Sequence, residues 1–301
     1  MTRTATINPL QWLAGKPLPT KTMETDMTAT TLPKPDYAAI KSKQNAAWSS
    51  GDYARIGVTL QITGEELAEA TDPTPGAEVL DVAGGNGNAT LAFARRWCRV
   101  VSTDYVESLL DGGRARAEAE SLDDVNFEKA DAENLPFADG RFDVVTSTFG
   151  VMFTPNQLKA ASEMLRVCRP GGKIAMANWT PESFIGALFK TLGLHIPPPP
   201  GVQSPANWGK ASWIEERFCD HAQAIHITLR NFNFRYRSPQ HFVDFFRTYY
   251  GPVHKAFLAL DADGRDRLER DILATIGNFN VATDGTMIVP SEYAQIIVEI
   301  R

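Results

Sequence analysis

The stretch "LDVAGGNGNATLAF", residues 80–93, places three glycines within four positions directly after an apolar run. A strand followed by such a turn and then a helical pattern opens a βαβ unit, whose turn must bend sharply and let backbone approach a ligand. A phosphate loop would need a lysine and hydroxyl after the second glycine, and no lysine follows until Lys129. A dinucleotide fingerprint needs a third glycine where this chain has Thr90, in Gly85-Asn86-Gly87-Asn88-Ala89-Thr90. Asp81 precedes the turn; its carboxylate would repel a pyrophosphate and attract an ammonium or sulfonium ion. The turn therefore favours a cationic ligand.

Moving outward, β-branched runs recur at Glu78–Val82, Arg99–Thr103, Val125–Glu128, Phe142–Thr148 and Lys173–Asn178, with helical stretches expected between them. Apolar strands alternating with helices predict a doubly wound, mostly parallel sheet with its ligand beyond the carboxyl ends of the strands. Asp104, in "VVSTDY", ends the second run nineteen residues after Gly85, where a carboxylate can accept from both ribose hydroxyls. Asp131, in "KADAENLPF", follows the third run, where an acceptor can meet an adenine amino group. S-adenosylmethionine combines an adenosine with both kinds of cation.

Two helical segments precede the first strand, "YAAIKSKQNAAWSSGDYARIG" and "VTLQITGEELAEA". Trp48 and Tyr53 in this leader either close over the cofactor or pack in the core. After Trp179 the texture changes to "IPPPPG" at 196–201 and a dense scatter of aromatics from Phe184 to Tyr250, which predicts a helical lid insertion. "AIHITLRNFNFRYR" alternates like a strand, "FLALDADGRDRLERDILATI" like a helix, and "TMIVPSEYAQIIVEIR" like a closing strand. "RPGG" at 169–172 reads as a turn into the fifth strand.

The 301 residues are 43% hydrophobic and 22% charged, ordinary for a soluble domain, and no run approaches the roughly 20 apolar residues of a membrane span. A net charge of −6 disfavours a sequence-independent grip on nucleic acid. Cys98, Cys168 and Cys219 lack metal-ligand spacing, so no metal is expected and a reducing cytoplasm fits. The amino terminus lacks a secretory pattern, and Met23 and Met27 leave a downstream natural start open. His195, His221, His226, His241 and His254 are scattered. If the acceptor needs a base, His241 and Tyr249 of the lid are the candidates.

Together, "VLDVAGGNGNATL", "VVSTDY", "ADAENLPFADGRFDVVTSTFGVMF" and "EMLRVCRPGGKIAMANW" resemble the ordered motifs of class I S-adenosylmethionine-dependent methyltransferases, in the branch of ubiquinone, menaquinone and small-molecule methyltransferases. The resemblance covers roughly residues 40–180 and implies a seven-stranded, mostly parallel Rossmann-like sheet. It places Asp81 and the backbone of Ala83, Gly85 and Gly87 at the methionine part. It also sets Asp104 at the ribose, Tyr105 beside the adenine, Asp131 with the Ala132 amide at the adenine edge, and Phe149 near the methionyl group. The implied organisation is an arm over 1–36, expected to be disordered, and one domain over 37–301. Within that domain the leader is 37–72, the cofactor core 73–180, the lid and acceptor region 181–260, and the closing helix and strand 261–301. Ala83 stands where the family usually has glycine, and "TFGV" replaces the NPPY-like signature of amino-group methylation. The implied reaction is methyl transfer to a small, apolar or aromatic acceptor. A cofactor-binding regulatory module and a nicotinamide-dependent oxidoreductase are the alternatives. The sequence is silent on oligomeric state.

Overall fold

The computed structural model describes residues 3–7 and 35–301. Among them, β1 (Arg3–Ile7), β2 (Glu78–Val82), β3 (Arg99–Asp104), β4 (Val125–Lys129), β5 (Phe142–Thr148), β6 (Cys168–Trp179), β7 (Ala222–Tyr236) and β8 (Met287–Ile300) form one sheet. Its order is β1-β7-β8-β6-β5-β2-β3-β4. The pairs among β2 to β6 are parallel, while β8 runs antiparallel to both β6 and β7. This is the expected seven-stranded, mostly parallel sheet, with β1 added antiparallel on the edge of β7. The expected disordered arm therefore includes a strand at Arg3–Ile7, and residues 8–34 of it lie outside the described residues.

Val79, Leu80, Val82, Val145, Ile174 and Met176 are fully buried, as strands covered on both faces require. Strand order reverses between β2 and β5, so the chain leaves these two strands in opposite directions and a crevice opens at their carboxyl ends. The helices on β2 and β3 are α4 (Asn88–Ala94) and α5 (Glu107–Ala119); α6 (Gln157–Val167) joins β5 to β6. No helix joins β4 to β5, against the sequence expectation. Residues 130–141 hold only turns and a bridge between Asp131 and Asn134, with Pro136 and Gly140 interrupting the segment. "RPGG" lies in an irregularity within β6, where Phe142 opposite Cys168 is followed by Val144 opposite Lys173, with Gly171 at φ +74°.

The leader comprises α1 (Tyr37–Trp48), α2 (Tyr53–Gly57) and α3 (Gln61–Thr71). Asp36 caps α1 by accepting from the Ala39 amide. The insertion holds α7 (Phe184–His195), α8 (Ala211–Phe218), β7, α9 (Pro239–Tyr249) and α10 (Gly251–Ala259); α11 (Ala262–Phe279) leads to β8. Most of its aromatics are core: Phe184 meets Phe234 and Phe242 edge to face, and Phe242 stacks on Phe246 at 3.9 Å. Tyr250 carries this cluster to Trp48 of the leader, 5.5 Å away. Gly51 and Gly251 allow that contact, since a Cβ on either would fall 2.3–2.4 Å from the carbonyl oxygen of Tyr249 or Ala47 respectively. Among the described residues, no helix is long and apolar enough to cross a membrane.

Candidate cofactor crevice

The glycine turn is built by a run of left-handed backbone. Ala83, Gly85 and Gly87 have φ of +52°, +58° and +85°, and Gly87 begins α4. A Cβ at Gly84 would fall 2.7 Å from both Asp81 Oδ2 and Ser102 Oγ, so this position is closed to larger residues. A Cβ at Gly85 would meet nothing nearer than the Tyr53 ring at 3.9 Å, which leaves the turn's outer surface facing the crevice.

Asp81 is 1% exposed, and its Oδ2 accepts from the Thr90 amide at 3.0 Å and the Thr90 hydroxyl at 2.6 Å. Thr90, the residue that breaks the dinucleotide fingerprint, is what holds this carboxylate. Asp81 Oδ1 is buried and accepts no hydrogen bond. Burial pushes its pKa up to about 7 against the opposing bonds from Thr90. An open buried acceptor beside a glycine surface fits the cationic end of S-adenosylmethionine, since a cation there would supply the missing partner.

Asp104, 6% exposed, accepts from the Gly85 amide at 3.1 Å through Oδ2 and from the Val106 amide at 2.9 Å through Oδ1. Each oxygen keeps a lone pair for a ribose hydroxyl. Burial raises its pKa to about 6 despite these backbone bonds. Of the residues expected from sequence, the crevice is lined by Asp81, Ala83, Gly85, Asp104, Tyr105, Asp131, Ala132 and Phe149. Gly87 is not in the lining; it shapes the turn from behind as the helix N-cap.

Asp131 has a partner that sequence reasoning missed. Lys41 of α1 reaches Asp131 Oδ2 at 2.6 Å and Glu133 Oε2 at 2.9 Å, while Asp131 Oδ1 accepts from the Glu133 amide. Asn45 Nδ2 donates to the Tyr105 carbonyl and Gln44 Nε2 to the Phe153 carbonyl. With Trp48 edge-on to Tyr53 and Phe153, the leader thus roofs the crevice from Asp131 to Phe153. The lid insertion is present, but no residue of 181–260 lines the crevice; it supports the leader from behind. The available signal was the leader's Gly57 and Gly64: a Cβ there would fall 2.5 Å from Asn86 Oδ1 and 2.7 Å from the Asn88 carbonyl oxygen, so these glycines seat the leader on the turn.

His241 and Tyr249 do not belong to the site. His241 Nδ1 accepts from the Arg237 amide and its ring packs against Tyr236 and Phe245, while Tyr249 lies under the Arg55 guanidinium. None of the five histidines lines the crevice. Phe149 is buried with φ +57°, and it stacks on Trp179 at 4.1 Å with rings 5° from parallel. Among the described residues, no cluster of three potential metal ligands is present.

A family model described as a methyltransferase domain matches residues 79–172. An uncharacterised protein of Mycobacterium tuberculosis is 36% identical over 231 residues, covering 76% of this chain and 84% of that protein. A demethylmenaquinone methyltransferase of Clavibacter sepedonicus is 35% identical over 136 residues, 44% of this chain and 55% of that enzyme. The crystal structure of a putative methyltransferase from Bacillus halodurans superposes with a TM-score of 0.56 at 23% identity, over 78% of this chain and 97% of that one. That likeness carries the fold, and the sequence relatives carry the family. The chain is a member of the class I S-adenosylmethionine-dependent methyltransferases, an enzyme whose cofactor is S-adenosylmethionine.

Proposed function

We propose that this enzyme methylates a small, uncharged, apolar or aromatic acceptor. The observation that carries this reading is the division of one crevice into two chemical halves. Asp81, Asp104, Asp131 and Glu133 line the first half, and the single lysine among the lining residues, Lys41, is already bound to the last two. Such a surround repels carboxylate and phosphate acceptors. The second half is walled by Leu60, Trp48, Phe149 and Phe153.

In this reading Asp81 holds the methionyl ammonium, Asp104 the ribose, and Asp131 with the Ala132 amide the adenine edge. Ala83, Gly85 and Gly87 shape the backbone, Tyr105 flanks the adenine, and Phe149 borders the methionyl end. The bound cofactor supplies an electrophilic sulfonium methyl that a nucleophile displaces in line. The protein's contribution is alignment and exclusion of water, of which orientation can contribute roughly 7–11 kcal/mol. Burial lifts Tyr53 to about 12 and Tyr105 still further, so both phenols stay protonated near neutral pH and neither acts as a base. Proton removal thus falls to the solvent or to the acceptor's own acidity.

The demethylmenaquinone methyltransferases among the relatives act, by their name, on demethylmenaquinone, which favours a ring acceptor here. The three cysteines are buried, and a cytoplasmic location belongs to the same reading. A methyl-transfer screen over phenols, quinols, thiols, amines and sterol-like acceptors, read by S-adenosylhomocysteine release, tests it. Turnover with neutral ring compounds is expected; turnover confined to anionic or macromolecular acceptors refutes it.

A further inference from the structure

Among the residues that line the crevice, Thr148 carries a buried polar atom with no assigned task. Thr148 is the last residue of β5, and its Oγ1 is buried without a hydrogen-bond partner although the residue lines the crevice. Thr146 is opposite Asp81 in the β5–β2 register, so Thr148, two residues on, shares the Asp81 face one step nearer the crevice mouth. On its other side it is opposite Ala177, whose methyl group offers no hydrogen bond. Ala83 and Phe149 border the same part of the crevice, both with left-handed backbone. Phe149 donates its amide to the Ala177 carbonyl at 2.8 Å, which fixes the chain directly after Thr148.

A hydroxyl buried without a partner is destabilising, and a bound ligand or an ordered water is among the partners such groups take up. Asp81 Oδ1 lies in the acidic half, where the cofactor's cation supplies its partner. Thr148 stands at the border with the aromatic half, where a partner would come from the acceptor. Resting on the function proposed above, we infer that Thr148 is an acceptor-orienting residue: its hydroxyl hydrogen-bonds the O–H or N–H of an uncharged aromatic acceptor lying against the wall that Trp48, Phe149 and Phe153 contribute to. The site then selects aromatic alcohols or amines over hydrocarbons of the same shape. It does so because a ring without a hydrogen-bonding group leaves the hydroxyl unpaired. The same bond fixes the nucleophilic atom relative to the methyl group, which is the positioning that methyl transfer needs.

The test compares 2-naphthol with naphthalene, titrated into protein saturated with S-adenosylhomocysteine and read by tryptophan fluorescence. Wild type is expected to bind 2-naphthol about three- to tenfold more tightly than naphthalene, the range of one net hydrogen bond. Thr148→Val, of the same shape without the hydroxyl, is expected to abolish that preference while leaving S-adenosylhomocysteine affinity within about twofold, and Thr148→Ser to keep it. An unchanged preference in Thr148→Val overturns the inference and leaves the aromatic-acceptor reading standing. Weakened S-adenosylhomocysteine binding in Thr148→Val, in a protein that melts as wild type does, assigns the hydroxyl to the methionyl end and also overturns it. Failure of wild type to bind either compound removes the aromatic-acceptor reading and the inference together.

Discussion

Replacing Asp104 with asparagine separates what this residue does for the ligand from what it costs the fold. Asp104 is 6% exposed and accepts the Gly85 and Val106 amides, one on each oxygen. Asparagine keeps the shape but presents a donor to one of those amides, and on the proposed ribose role it would turn two charge-assisted hydrogen bonds into at best one neutral bond. Charge-assisted bonds contribute about 1.5–3 kcal/mol against about 0.5–1.5 for neutral ones, so a loss of about 2–3 kcal/mol, roughly 30- to 150-fold in affinity, is expected. Stability moves differently. The folded-state pKa of about 6 lies above the ordinary 3.8, so the folded protein binds more protons, and stability falls as pH rises from about 4 to 6. Above that window the charged carboxylate costs the fold about 3 kcal/mol, more than the roughly 1 kcal/mol of the backbone hydrogen bond that Asp104→Asn forfeits. Calorimetric titration with S-adenosylhomocysteine at pH 8 should therefore show much weaker binding while the ligand-free Tm holds or rises. A dissociation constant within about threefold of wild type would refute the ribose assignment. A large fall in Tm would refute the burial argument.

Other perturbations address the turn, the roof and the carboxylate at the methionine end. With Asp81 titrating near 7, its ionised form prevails only above that pH, so affinity for S-adenosylmethionine should rise roughly tenfold between pH 6 and 8 and lose most of that slope in Asp81→Asn, measured by calorimetry. Gly150→Ala should cost about 2–4 kcal/mol in urea unfolding and weaken cofactor binding, because its Cβ would fall 2.1 Å from the Ala83 carbonyl oxygen. Lys41→Met removes the bonds to Asp131 and Glu133, and stopped-flow displacement should show S-adenosylhomocysteine leaving about threefold faster or more. An unchanged rate would show that the roof does not gate release.

The acidic side of the crevice was readable in the sequence because its residues are local. Asp81, the glycine turn, Asp104 and Asp131 each sit at or just past a strand end, and a parallel sheet brings all such ends to one edge. The roof was not, because Lys41 meets Asp131 across ninety positions of chain and neither residue's neighbourhood announces the pairing. The aromatic density after Phe184 was read as a lid insertion; its rings are the core that holds the roof, since edge-to-face and stacked contacts among Phe184, Phe234, Phe242 and Phe246 use those rings on one another. Thr90 was informative twice, as the residue that breaks the dinucleotide pattern and as the one that holds Asp81.

The central claim is that an acidic cofactor half and an apolar, neutral acceptor half share one crevice. Its most direct test is transfer of a trideuterated methyl group from labelled S-adenosylmethionine, followed by mass spectrometry, to matched neutral and anionic acceptors such as 2-naphthol and 2-naphthoic acid. Label in the neutral compound and none in the carboxylate is the predicted result. Preferential labelling of the carboxylate would contradict the account.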